Sequence, residues 1–419
     1  MTNRSERKRV VITGLGAVTP LGSTLEQYWD GLAEGRSGIR RITQFDPSEL
    51  ACQIAGDIPD FNVELYMDRK EARRTPRACQ VALAAGTQAV KDAGLGEKMP
   101  VPERAGVLFG TVMGGVDKII EGVETYNTSG LSKIGPFVLP TSIPNIPAFM
   151  LAQQFQCLGY TNTISTACAT GTQAIGEAAE VIRRGAADVM ITGGVEALLR
   201  IWTIGGFCAM RALPVNFNDA PAAASRPFDS KREGFIFSEG AGALVLESLE
   251  HALERKARIY AEVAGHASAA DAYHIAAPEP DGLGGARAMR WALEDAGMQP
   301  EAVDYINAHG SSTPANDGTE TRAIKSVFGE HAYKLAVSST KSMIGHPMGA
   351  AGAVEALACL LAIHRGIIPP TINYEYPDPE CDLDYVPNHA RRAEVNVCLS
   401  NSFGLGGQNA SLILKRYVP

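Results

Sequence analysis

Short runs rich in Val and Ile, each closed by glycine, recur along the chain: "RVVITGLG" over 9–16, "AGVLFGTV" over 105–112 and "DVMITGG" over 188–194. Between them lie longer Ala-rich segments with helical spacing, such as "RACQVALAAGTQAVKDAG" and "GTQAIGEAAEVIRRG". Apolar runs of this length bounded by turn residues read as buried strands, and strands alternating with helices build layered α/β sheets. The 419 residues supply ample core, and a composition of 45% hydrophobic and 20% charged residues excludes disordered and fibrous classes.

One internal echo bears on domain organisation. "EGAGALVLES" from Glu239 and "GLGGQNASLILKR" from Gly404 are both glycine clusters feeding an apolar strand. They predict two related halves, 1–258 and 259–419, divided after the charged segment "LEHALERKAR". The glycines of "GLGAVTPLG", at 14, 16 and 22, miss the dinucleotide-binding spacing.

A net charge of −8 excludes a general nucleic-acid binder. Eight cysteines without C-x-x-C pairs or zinc-like spacing, in a chain too large to need disulfide staples, point to a reducing cytoplasm. The N-terminal "MTNRSERKRVVITGLGAVTP" reads as a basic tail entering a first strand rather than a signal peptide. No uninterrupted apolar stretch reaches the roughly 18 residues of a membrane span.

Chemistry concentrates at strand ends. In "STACATG", Cys168 sits between a β-like segment and a helix-like one, where free N–H groups and the helix dipole favour a thiolate and lower the pKa. A small buried thiol explains the same letters, so local sequence leaves nucleophile and core residue both open. Other apolar runs end at His309, at Lys341 with His346, and at Phe403; open α/β sheets bind ligands outside the carboxyl ends of their strands. Glu355 lies in "GAAGAVEALACLLAI", apolar on every helical face. Such a helix is buried, and its carboxylate needs a partner, for which Lys341 is the candidate.

"TACATG", "NAHGSSTPAND", "STKSMIGHPMGAAGAVE" and "NSFGLGGQNASL", in this order, resemble the β-ketoacyl-acyl-carrier-protein synthases, most closely the synthase II group. The resemblance runs from "RVVITGLGAVTPLG" to "SLILKR" and includes "AASRPFDSKREGF" and "GHASAADAYHIAAPEPDG". It implies a thiolase-like α/β fold, duplicated βαβαβαββ halves in a five-layer αβαβα arrangement, assembled as a homodimer or with a homologous subunit. It implies Cys168 as the acyl-accepting nucleophile, His309 and His346 as the pair that promotes malonyl decarboxylation, and Lys341 with Glu355 in support. The oxyanion hole would be the backbone N–H groups of Cys168 and Phe403. Ser311 and Thr313 fall where hydroxyls bind pantetheine, and Lys70, Arg73, Arg74 and Arg211 where cations meet an acyl carrier protein; Arg69 and Arg77 extend the same basic segment. Val112, Met113, Val138, Phe207 and Leu405 are placed in substrate binding. No cofactor, metal, nucleic acid or membrane is implied.

This chain departs from the family pattern where substrates are selected. Leu405 and Gln408 stand in "GLGGQN" where "GFGGTN" is usual, Ser311 replaces threonine, and Val112 and Met113 replace glycine and isoleucine. A β-branched Val112 narrows an acyl tunnel, which leaves a specialised type II polyketide or polyene ketosynthase as the alternative. A chain-length-factor-like subunit would lack Cys168, a degradative thiolase would need a second cysteine in the last glycine loop, and the initiating synthase III type would pair Cys with one His and an Asn.

Overall fold

The computed structural model describes residues 7–419; the first six residues of the basic leader lie outside it. Ten strands form the main sheet: β1 (Val10–Val18), β2 (Ala105–Gly110), β3 (Thr161–Asn162), β4 (Val189–Glu196), β5 (Gly240–Ser248), β6 (Ala261–Ala270), β7 (Tyr305–Asn307), β8 (Ala336–Ser338), β9 (Val397–Gly404) and β10 (Gln408–Lys415). Their spatial order is β8-β7-β9-β10-β6-β1-β5-β4-β2-β3.

Read outward from the centre, each half repeats one pattern: first strand, fifth, fourth, second, third. The pairing directions repeat too. β2 lies parallel to β3 and β4, as β7 does to β8 and β9, and the remaining neighbours within each half are antiparallel. The halves meet where β1 pairs antiparallel with β6, Val11 opposite Glu262 and Ile12 opposite Ala261. The echoing segments become β5 and β10, equivalent strands of the two halves.

Five helices complete the layers: α1 (Arg77–Asp92), α2 (Thr170–Arg183), α3 (Leu283–Ala296), α4 (Pro314–Phe328) and α5 (Ala351–Arg365). α1 packs on β1 and β5, and α3 on β6 and β10. α2 and α5 touch each other and strands of both halves, so they form the middle layer. Every residue of β1, β2, β4 and β5 is buried, because helices cover both faces, and continuous Val/Ile runs rather than polar alternation encode such strands. Met348–Arg365 is long and apolar enough to cross a membrane, yet 89% of it is buried inside the protein; it is the core helix. The site lies where the middle layer meets the strand ends.

Candidate active site

Cys168 occupies a sharp elbow. Ala167 takes a left-handed φ of 50°, the chain forms a bridge between Thr166 and Cys168, and α2 begins two residues later. A non-glycine residue in that conformation costs about 1–3 kcal/mol, a strain found where a side chain is held for function. The β9–β10 hairpin comes so close that a Cβ on Gly404 would lie 3.0 Å from the Cys168 nitrogen, so only glycine fits there. Cys168 is buried, and burial pushes its thiol up to about 11, against the Leu405 amide and Lys341, which pull it down. The thiolate-favouring pKa read from the helix N-terminus is therefore corrected: desolvation outweighs the turn, and the resting sulfur is a thiol.

The Leu405 amide, at the tip of the β9–β10 hairpin, is the first influence that pulls the thiol back down. Phe403 lies within β9, in register with Asn409 of β10. The Phe403 ring packs 5.9 Å from the His309 ring.

His346 is held through its backbone. Its N–H donates to the Ile236 carbonyl at 2.7 Å, and its carbonyl accepts from Ser238 N–H at 3.1 Å. Its Nε2 lies 3.0 Å from the Cys168 sulfur, within reach of the thiol proton. His309, just past β7, is fixed by a group that sequence reasoning missed: Glu320 on α4 accepts the His309 and Gly310 N–H groups, each at 2.8 Å. The two imidazoles meet edge to face at 5.3 Å between centroids. Burial first, and Lys341 second, drive both well below the ordinary histidine range, so both rings are neutral.

Lys341 and Glu355 form a fully buried ion pair directly behind the histidines. Burial pushes the Glu355 carboxyl up and the Lys341 ammonium pulls it back. Cys168, His309 and His346 present ligand atoms within 4.8 Å of one another, the donor types of a zinc site. The positive field of Lys341, which already disfavours imidazolium here, opposes a resident cation equally.

A cavity of about 310 Å³ opens onto these three residues. Ser311 and Thr313 line it, their hydroxyls 2.9 Å apart, as do Leu405 and the exposed Arg211. Val112 and Phe207 pack in the apolar cluster that contains Cys168, Phe237 and Met348. Met113 is exposed, and Val138 packs over Gly122 of the helix Val116–Ser129.

Lys70, Arg73 and Arg74 are exposed around the short helix Arg69–Ala72. Lys70 and Arg74 line a separate groove with Phe137, whose ring lies 5.9 Å from the Arg74 guanidinium. Arg69 pairs with Glu64 on the same surface. Arg77 departs from the basic surface read from the sequence: it turns inward and binds the fully buried Glu239 through two nitrogens. That carboxylate would otherwise be an unpaired buried charge.

Residues 7–252 match the family model "Beta-ketoacyl synthase, N-terminal domain" and residues 260–375 match "Beta-ketoacyl synthase, C-terminal domain". A 3-oxoacyl-[acyl-carrier-protein] synthase 2 of Synechocystis sp. is 52% identical over 413 residues, spanning 98% of this chain and 99% of its own. Among solved structures, the ishigamide ketosynthase/chain length factor superposes with a TM-score of 0.91 at 40% identity, covering 98% of this chain and 100% of the other. A complex described as a type II polyketide acyl carrier protein with its ketosynthase bound to the hexaketide gives the same TM-score, 0.91, and the same coverages, 98% and 100%, at 36% identity.

Proposed function

The chain belongs to the β-ketoacyl synthase family, and from that premise we propose that it performs the decarboxylative condensation of fatty acid elongation, using Cys168, His309 and His346 as its reacting groups. The observation that carries this reading is the convergence of a buried thiol, an imidazole nitrogen 3.0 Å from it and a second neutral imidazole at one cavity.

In the first half-reaction the Cys168 thiol passes its proton to His346 Nε2, and the sulfur attacks the thioester carbonyl of an acyl group on the phosphopantetheine of acyl carrier protein. In this reading the tetrahedral oxyanion accepts from the Cys168 and Phe403 N–H groups; one donor of this kind is worth about 3 kcal/mol. The C–S bond to pantetheine breaks, and the leaving thiolate takes the proton back from His346. In the second, malonyl carrier protein loses carbon dioxide, and its thioester carbonyl becomes an enolate that accepts from His309 and His346. The enolate carbon attacks the acyl carbonyl, a C–C bond forms, the C–S bond to Cys168 breaks, a 3-oxoacyl carrier protein two carbons longer leaves, and the Cys168 thiolate takes a proton from water to return to the resting thiol. The Lys341–Glu355 pair supplies positive field near the enolate while itself remaining neutral overall. No cofactor is needed for either half.

Cys168→Gln places a carbonyl where the acyl thioester would be. It should release carbon dioxide from malonyl carrier protein without forming condensed product, and its rate should not fall as pH drops through about 6.5, where an ordinary histidine titrates, because both rings are held neutral. A folded Cys168→Gln protein that releases none would remove the two-histidine step.

The acidic carrier protein docks on Lys70, Arg73, Arg74 and Arg211 in this reading. With screening over about 8 Å, a local patch acts despite the negative total charge. Arg73→Glu with Arg74→Glu should raise KM for carrier-bound acyl substrate at least about tenfold while changing KM for a small acyl thioester much less; equal changes would dismiss the docking surface. The exposed apolar side chains Leu139, Ile143 and Phe149, the last beside the short edge strand β3, suit a second copy of this chain, making the working unit a homodimer in the cytoplasm.

A further inference from the structure

Glu196, the last residue of β4, is 1% exposed and takes no part in the steps above. Its Oε2 accepts from the N–H of Val112 at 2.9 Å and of Gly349 at 3.4 Å; its Oε1 accepts from the N–H of Met113 at 3.2 Å and from the Thr111 hydroxyl at 3.4 Å. Four donors converge on one carboxylate, two on each oxygen. A carboxylate accepts from all four, whereas an amide would turn an NH2 group onto two donors.

These donors come from two separate walls of the site. Val112 and Met113 belong to the loop that leaves β2, and the Val112 side chain packs in the apolar cluster around Cys168. Gly349 belongs to the turn after His346, whose Met348 lines the catalytic cavity with a strained φ of 39°. The walls come together so closely that a Cβ on Gly349 would lie 2.9 Å from both Glu196 Oε2 and the Val112 nitrogen. The first wall belongs to the N-terminal half and the second to the C-terminal half, and Glu196 ties them by their backbones.

We propose that Glu196 is a positioning residue for acyl-chain selection, clasping the Val112 loop to the Met348 turn and so fixing how far the apolar cluster around Cys168 can open for an acyl chain. The inference rests on the proposed acyl transfer to Cys168. Without the clasp, four donors lose their acceptor and the two walls part, so longer or bulkier acyl groups gain relative to short ones. Burial pushes the Glu196 carboxyl up to about 7, and the same N–H donors hold it from rising further.

The test is the rate of Cys168 acylation, read by intact-protein mass, with acyl carrier proteins bearing short and long chains, in the unmodified protein, Glu196→Gln and Gly349→Ala. The second variant pushes a methyl group between the walls and leaves the carboxylate in place. In both variants the long-to-short rate ratio should rise at least about tenfold, the scale on which a pocket discriminates small changes in substrate size. A common fall at every chain length, in step with thermal stability, would overturn the inference, as would failure of both variants to fold, which would reduce Glu196 to a stabilising contact. If the unmodified protein acquires no acyl group on Cys168, the proposed function fails first; if it acquires one and the ratios stay fixed, only the role of Glu196 falls.

Discussion

Cys168→Ala should lose condensation of acyl and malonyl carrier proteins by at least about 10³-fold, the scale of removing a covalent nucleophile. The loss should appear in the turnover number rather than in KM, because the cavity, the docking cations and the two imidazoles all remain. Stability should change little, since alanine is one of the small residues that already make up this elbow and the sulfur adds few contacts. Product formation can be followed by chromatography of the carrier-bound 3-oxoacyl chain. Retention of activity above a tenth of the original would mean that acyl transfer runs through another group.

The second large effect concerns the core. Glu355→Gln should destabilise the fold by about 3–5 kcal/mol, because it leaves the Lys341 ammonium buried with no counter-charge. Both side chains are essentially inaccessible to water, so solvent cannot substitute for the lost partner. Removing both charges together, as Lys341→Met with Glu355→Leu, should recover most of that stability, since apolar groups of similar volume suit the same site. It should not recover condensation, because the positive field beside the enolate is gone. Denaturant midpoints and condensation rates on the single and double variants separate these outcomes. Equal stability of the single variant and the parent would show that the pair is not buried as the structure has it.

These two cases mark what the chain discloses by itself. The pairing of Lys341 with Glu355 was legible because a helix apolar on every face leaves a carboxylate only one kind of solution, and a lysine lay on the adjoining strand-to-helix unit. The layers were legible for a related reason: continuous Val/Ile strands between Ala-rich helices must be covered on both faces, and two glycine-to-strand segments implied a repeat. Backbone hydrogen bonds across the fold were not legible. Glu320 and Glu196 went unrecognised because each acts by accepting main-chain N–H groups distant in sequence, and a carboxylate doing so carries no local motif. A glutamate closing a wholly buried strand, as in "GGVEALL", was the available signal for Glu196. The thiol pKa went astray because a helix N-terminus is visible in sequence and the depth of burial opposing it is not. Arg77 illustrates the same limit, since a basic run looks uniform until one member finds a buried carboxylate.

The central claim is that an acyl group rides on Cys168 between the two half-reactions. Intact-protein and peptide mass spectrometry after mixing with acyl carrier protein tests it most directly: the account predicts one acyl adduct per chain, mapped to the peptide bearing Cys168 and discharged when malonyl carrier protein is added. An adduct on any other residue, or an adduct on Cys168 that malonyl carrier protein does not discharge, would contradict it.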